Sequence, residues 1–512
     1  MSTTVLRPAG PVAAAARAAY PVAAVLALAR FEARELSRQI SVAAYLLLYT
    51  GYTAYVLIAR GGGMADFPVL QDADRNTQTA PLLLAIALLA CVNRAALRSR
   101  RCGTDEQFGG LVVRPWQRTV AHALSAAPYA VYTALVVAVR FGRQAVEPGA
   151  VGHGSLAELA VGPLSVLLAG ALGVLLARLV PYSMASLLFV ATAYVLAIYL
   201  SATTDLPHGV RWLSPVVSEP GETPVPSALL GRPAGWHALY LAGLCVLLPG
   251  IAVLVDGGRT RAVKTATVLA LLATAAGAIG QAPGGAGALR AARARATDRP
   301  AALQTCVAHA GSAYCAFPEW AGQTDDWAAV VDRVRSAAGG TAATTALTVR
   351  QRVDARGHGD GTDIALAPST TPGEVTVGTR WGGDRVPEFA AGVAGVLVAG
   401  REDAAGELCG ARAVTAVWLA VGTDPHPWAA YRALRPAEDD VEAASVDTPT
   451  EPLTLSAAQS EVLAQLLRRP AATVAARVRA HWNELTAPRT TTAEVAHLLA
   501  VPPLRGTDNC DP

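Results

Sequence analysis

Apolar and polar positions divide this chain into two regimes. As far as residue 280 the apolar residues gather into runs almost free of charge: Ile40 to Ala59, Thr79 to Asn93, Val120 to Val139, Leu159 to Ala177, Leu179 to Leu200, Trp236 to Val255 and Thr265 to Gly280. A helix needs roughly 20 such residues to cross a bilayer, so the pattern predicts six or seven spans, the second short and the seventh rich in alanine. Beyond residue 300 the apolar residues follow strand and helix periods with ordinary charge between them. Ala346 to Val353 and Glu374 to Thr379 predict strands; Asp325 to Ala338, Pro387 to Val398 and Glu407 to Leu419 predict helices. Three more helices close the chain, Ser456 to Leu467, Ala471 to Leu485 and Thr491 to Leu499, with capping boxes at Ser456/Gln459 and Thr491/Glu494. The fold class is therefore an α-helical polytopic membrane protein of six or seven spans followed by a soluble α+β extracytoplasmic domain.

The segments between these runs set the organisation. Residues 1–39 form a basic, amphipathic leader on the cytoplasmic or interfacial side. Its apolar part, Ala18 to Ala29, is too short to span, and Ala29 to Gln39 continues it as a helix with Glu32, Arg34, Glu35 and Arg38 in the headgroup layer. Residues 40–280 are the membrane domain, and 281–300, rich in Gly, Ala, Pro and Arg, a flexible linker. Residues 301–512 are the α+β domain, in which the acidic run Pro436 to Pro452 leads to a helical tail. A cytoplasmic N-terminus puts Arg94 to Arg118, Arg178, Arg259, Arg261 and Lys264 on one side, leaving only scattered arginines such as Arg60, Arg75, Arg211 and Arg232 on the other. Arginine and lysine near span ends favour the cytoplasmic face. With seven spans this places everything after residue 280 outside a bacterial plasma membrane; losing one span would turn it inward.

Composition narrows the classes. The chain has 512 residues, 52% hydrophobic and 16% charged, which opposes a wholly soluble reading. Its net charge of +3, with no basic stripe interleaved with aromatics, argues against a nucleic-acid partner. Of seven cysteines, Cys306, Cys315, Cys409 and Cys510 fall in the domain placed outside, an even set suited to two disulfides in an oxidising compartment. Cys306 and Cys315 flank His-Ala-Gly-Ser in a strand-turn-strand pattern and are paired on that ground, leaving Cys409 for Cys510; the other two connectivities stay open.

The chain carries little bond-making chemistry. Its one lysine, Lys264, follows Val263, so no phosphate-binding Gly-Lys-Ser/Thr loop exists, and ATP hydrolysis would need another chain. There is no His-Glu-x-x-His or Gly-x-Ser-x-Gly, and His309, His358, His426, His481 and His497 have no second metal ligand at fixed spacing. No catalytic, metal or cofactor residue is therefore assigned. Tyr45, Tyr49, Tyr52 and Tyr55 recur at helical spacing in the first span, where hydroxyls face protein or a wet path; helix packing is preferred, since interhelical contacts use the same residues. Trp212, in the long loop Ser201 to Ala234, suits an interfacial anchor, and Asn93 and His122 suit contact with headgroups.

The most informative stretch is the charged island from Arg94 to Val120, between two spans. Arg94, Arg98, Arg100 and Arg101 hold its start on one side. Thr104 then suits the cap of a short helix with Asp105 and Glu106 in its first turn. The elbow-like Ala-Arg-Phe-Glu-Ala-Arg-Glu-Leu (29–36), and Arg-Ser-Arg-Arg-Cys-Gly-Thr-Asp-Glu-Gln-Phe (98–108) followed by Arg114-Pro115, resemble an exporter permease of the type-2 ATP-binding-cassette class. The likeness is to the actinobacterial form with an appended extracytoplasmic domain; Cys306 to Val334, with Pro318-Glu319 and Trp327, is similar to its outer segment. The resemblance implies a homodimer or heterodimer of permeases on two separate ATPase subunits. It also implies a coupling element formed by Arg100, Arg101, Thr104, Asp105, Glu106 and Phe108. A membrane-tethered sensor whose outer domain binds a ligand is the alternative.

Overall fold

Prolines mark where several membrane helices begin, because proline costs nothing at a first turn whose N–H has no helical partner. The computed structural model describes residues 11–58, 67–104, 113–180, 182, 184–202, 212–217, 223–282, 286–356, 366–380, 382, 385–434 and 444–502. Helix α1 (Pro11–Ser37) is followed by α2 (Ile40–Ile58), the short α3 (Leu70–Asn76), α4 (Pro81–Ala96) and the single turn α5 (Arg98–Arg101). Then come α6 (Pro115–Leu124), α7 (Ala127–Ala145), α8 (Leu156–Leu179), α9 (Ala185–Ala202), α10 (Ser227–Leu230), α11 (Ala234–Val255) and α12 (Arg261–Gly280). Pro81 opens α4, Pro115 opens α6, and Pro128 starts α7 just after the break between α6 and α7.

Among the described residues six stretches are long and apolar enough to cross a membrane: Ile40–Ile58, Leu70–Ala96, Pro115–Ala145, Leu156–Leu179, Ala234–Val255 and Arg261–Gly280. They coincide with six of the seven predicted runs. The remaining run, Leu179 to Leu200, is displaced: α8 continues to Leu179, Val180 is extended, and α9 starts only at Ala185. The residue before a proline is driven out of the helical region, and Val180 precedes Pro181. Helix α9 is apolar and runs between Arg178, at one end of the bundle, and Trp212, at the other. Its 18 residues reach about 27 Å at 1.5 Å per residue.

Close backbone approach holds the bundle together. A Cβ on Gly173 of α8 would lie 2.7 Å from the Leu89 carbonyl oxygen of α4, and Asn93 Nδ2 donates to the Gly173 carbonyl at 3.2 Å. Gly243 and Gly277 play the same part between α11 and α12, each facing backbone of the other helix. Glycine at such crossings lets helices gain dispersion contacts, which matter most where lipid removes the hydrophobic drive between helices. Asn93 is thus fully buried and His122 nearly so, which corrects the expectation that they reach headgroups.

The linker is a helix. Residues Ala286–Asp298 form α13, and Arg293 donates to the carbonyls of Leu229 and Leu230 while Ala296 is buried. Alanine and arginine are strong helix formers, which outweighed the glycines and prolines that suggested a flexible tether. Beyond it β1 (Thr305–His309), β2 (Ser312–Ala316), β3 (Thr348–Gln351) and β4 (Glu374–Val377) form a sheet in that order, β1 antiparallel to β2 and the rest parallel. Helix α14 (Thr324–Ala337) crosses from β2 towards β3, and α15 (Arg385–Ala399) packs on β4. After a single turn, α16 (Glu402–Ala405), the predicted helix Glu407 to Leu419 is α17 (Gly410–Val421), which starts three residues later than expected at Gly410, whose φ of +55° suits glycine.

Helix α18 (Pro427–Ala433) precedes a pair of strands, β5 (Ala444–Val446) inside the run read as a linker and β6 (Leu453–Leu455) directly after it. Leu453 and Leu455 are buried. The closing helices α19 (Ala457–Leu467) and α22 (Thr492–Leu498) lie where expected with both capping boxes formed, whereas the predicted helix Ala471 to Leu485 is broken at His481 into α20 (Ala471–Ala480) and the single turn α21 (Trp482–Leu485). Their Val462, Leu466, Val478 and Val495 share one core with Trp320, Trp327 and Trp418, so they are part of the α+β unit and not an appended tail.

Candidate functional site

The two ends of the bundle differ in what they carry. One end gathers the close of α1, the α4–α6 connection, the α8–α9 turn and the α11–α12 turn. The other gathers α3, the described residues 146–155, 212–217 and 223–233, and the C-terminal α+β unit. At the first, arginine-rich end, Glu32 of α1 is buried and its Oε2 stands 3.3 Å from Arg98 Nη2 and 4.0 Å from His122 Nδ1. The Tyr129 hydroxyl of α7 donates to the Ala33 carbonyl at 2.6 Å. Burial raises the Glu32 carboxyl above its ordinary range, and Arg98 partly offsets the rise. Glu32 is thus turned into the protein and away from the headgroup layer predicted for it. Nearby, Asp256 in the α11–α12 turn lies 2.9 Å from Arg178 Nε at the end of α8 and accepts a hydrogen bond from the Thr119 hydroxyl of α6. Every connection at this end is therefore tied by a charge to another element.

These ties bracket the charged island. Arg98 belongs to α5; Arg94, Arg100 and Arg101 are exposed. Gly103 turns the chain with φ of +64°, and both the N–H and the hydroxyl of Thr104 donate to the Ser99 carbonyl, at 3.0 and 3.3 Å. Thr104 thus closes the α5 turn. Asp105, Glu106 and Phe108 lie outside the described residues. The chain re-emerges at Val113, and Arg114 N donates to Gln117 Oε1 at 2.8 Å to start α6 at Pro115, where the turn was predicted.

The opposite end holds a denser polar group. Arg75 Nη1 is 3.3 Å from Glu158 Oε2, and its Nη2 donates to the Val217 carbonyl at 2.7 Å. Gln78 Nε2 donates to the same Glu158 oxygen, and Asp74 Oδ2 accepts from Ser155 N at 2.8 Å, capping α8 from a neighbouring helix. An anion there also suits the helix dipole. Arg232 reaches the Gln71 carbonyl and Asp72, and His237 Nδ1 is 2.8 Å from Gln281 Oε1. Trp212 is buried against this group: the Arg75 guanidinium stands 5.2 Å above its ring and His237 meets it edge-on. It is a packing residue, not an interfacial anchor.

The C-terminal unit is seated on this end. Val69, Val151, Val225, Leu229 and Leu230 from the membrane half lie in the same apolar cluster as Trp320 and Phe317. Glu319 Oε1 accepts from both Ser227 N and Ser227 Oγ, at 2.9 and 2.7 Å, and Gln323 Nε2 donates to the Gly149 carbonyl at 3.1 Å. The Phe67 ring lies against Gly149 on one side and Gly382 on the other.

The remaining predicted residues separate. Tyr49 is buried edge-on to Tyr132, Tyr45 is partly buried, Tyr52 lies under the Arg140 guanidinium and Tyr55 is exposed, so the four do not line one wall. Cys306 and Cys315 are disulfide-bonded across β1 and β2. Cys409 is also disulfide-bonded; Cys510 lies outside the described residues. Among the described residues no three His, Cys, Asp or Glu side chains are grouped to hold a metal ion. Sequence reasoning passed over Asp74, Glu158 and Asp256, and read Glu32, Arg75, Arg178 and Arg232 only as headgroup or loop charges. The available signal was their isolation at the edges of apolar runs, where a charge is costly without a partner. No protein-family model, no curated protein and no solved structure matches the chain.

Proposed function

We propose that this chain is the membrane-spanning permease subunit of an ATP-driven exporter of the ATP-binding-cassette type, coupled through residues 94–120 to a separate ATPase subunit. The observation that carries the reading is the charge-tied frame around that segment. Arg98 is held to α1 through Glu32, and α6 is held through Thr119 and Asp256 to Arg178 at the end of α8. A push on residues 105–112 would be delivered to both flanks together, and from them to helices that cross the bundle. The polar group at the far end and the seated α+β unit would then be where the movement is felt.

In this reading the arginine-rich end is cytoplasmic, the α+β unit is extracytoplasmic, and the bundle contains seven crossings with α9 as the fifth. The disulfides of the α+β unit agree with an oxidising compartment. The permease itself makes and breaks no bonds; it would pair with a second permease copy and two ATPase subunits. A second reading, a membrane-tethered sensor, draws on the shared apolar core between the α+β unit and the connections beneath it, which suits passing a ligand signal to the helices. The readings separate on ATPase capture: the exporter retains an ATPase from its own genome and loses it in Asp105→Arg and Glu106→Arg, whereas the sensor captures none.

A further inference from the structure

We propose that the outward face of α1 is a binding site for anionic phospholipid headgroups. One side of this helix is committed to protein: Ala29, Glu32, Ala33 and Leu36 are buried, with Glu32 tied to Arg98. The other side is open. Val22 and Leu26 are 60% and 44% exposed, Phe31 51%, and Arg30, Arg34 and Arg38 follow on the same side at steps of four. Residues four apart lie near one another on a helix, so the described part of the face is apolar at Val22 and Leu26 and basic towards its C-terminal end. Among α1 carboxylates, Glu32 is turned inward and Glu35 faces Arg38 at 2.9 Å, so the exposed face stays positive.

Position selects the occupant. Helix α2 begins at Ile40, 88% exposed, two residues after Arg38, and carries exposed Leu47 and Leu48 onward. The arginines therefore sit where an apolar crossing begins, at the depth of headgroups, with the aliphatic and aromatic side chains of the same face available to the acyl boundary. An anionic headgroup supplies the charge the face lacks, and the lipid's chains lie beside α2. Because the buried face of α1 carries Glu32 to Arg98, a lipid held here rests on the element that steadies the charged island. The site itself stands on the membrane reading of the apolar helices and survives failure of the exporter reading.

The test uses the purified full chain in neutral detergent, titrated with phosphatidylglycerol or phosphatidylcholine and followed by native mass spectrometry and thermal shift. Wild type should bind phosphatidylglycerol preferentially, and high salt should erase the preference. Each arginine beside an anionic surface contributes roughly five-fold in affinity, so R30Q/R34Q/R38Q should lose roughly a hundred-fold for phosphatidylglycerol while phosphatidylcholine binding stays the same. The triple lysine variant keeps the charge and should retain the preference, which separates a lost site from a misfolded protein. Equal binding of the two lipids by wild type, or full retention by the glutamine variant, overturns the proposal. So does Phe31→Cys crosslinking between copies in liposomes that contain phosphatidylglycerol.

Discussion

Asp256→Ala tests the arginine-end frame most sharply. The carboxylate lies between Arg178 Nε and the Thr119 hydroxyl, and both charged side chains are about a tenth exposed, 12% for Arg178 and 10% for Asp256. Removing one member of a buried pair leaves the other charge without compensation, a loss of about 3–5 kcal/mol. The orphaned threonine bond adds about 1 kcal/mol. A combined loss of about 4–6 kcal/mol compares with total stabilities of roughly 5–15 kcal/mol for ordinary domains. At roughly 2–4 °C per kcal/mol, the midpoint should fall by about 10–20 °C. The assay is tryptophan fluorescence on the full chain in detergent, run on Asp256→Ala, Arg178→Ala and the double variant. The double variant should lose clearly less than the sum of the singles, because removing both charges leaves neither stranded. Additive singles, or a midpoint within about 1 °C of wild type, would refute the buried-pair argument, since exposed pairs contribute only about 0–1 kcal/mol.

Three other outcomes follow from the packing and the polar contacts. Gly173→Leu should separate α4 from α8, because a Cβ there already meets the Leu89 carbonyl at 2.7 Å; the protein should elute aggregated from size-exclusion chromatography, while Gly235→Ala, with open space around it, should elute as wild type. In the hairpin turn between Cys306 and Cys315, Ala310 has φ of +47°, a conformation that asparagine adopts more readily; Ala310→Asn should raise the melting midpoint, gaining about 0.5–1 kcal/mol, and a fall would show that the turn is not so formed. Glu402 is buried and accepts from Ser369 N, Thr376 N and the Thr376 hydroxyl; burial lifts its carboxyl above the usual range although these bonds pull the other way. A raised folded value means its contribution is fully present below the unfolded carboxylate pKa and lost as pH rises through the folded one. Melting curves across about pH 4 to 7 should therefore show wild type losing stability relative to Glu402→Gln as pH increases; parallel curves would contradict this.

The apolar runs were legible because lipid and water impose opposite demands on a helix, and a span is long enough to declare itself. The hairpin carrying Cys306 and Cys315 was legible for a local reason: Ala-Gly supplies the two positive φ values its turn needs. Contacts between distant residues were not. Nothing near Asp74 in sequence says that it caps α8 some eighty residues later, and Arg75 looked like a scattered loop arginine until Trp212, Glu158 and Val217 closed round it. Helix propensity in 286–298 and the strand β5 inside 436–452, paired with β6 just beyond it, were masked by glycine, proline and acidic residues that usually mark linkers. The α+β unit's seat on the membrane half depends on valines and leucines from three separate segments, which no local pattern joins.

The central claim is that residues 94–120 receive an ATPase. Tagged full-length chain would be co-expressed with candidate ATPases of its own genome, solubilised and purified, and the bound fraction assayed for ATPase protein and ATP hydrolysis, beside Asp105→Arg and Glu106→Arg. The account predicts one ATPase retained by wild type and lost from both variants, each variant still eluting and melting as wild type. Wild type that retains no ATPase, or variants that retain it fully, would contradict the claim.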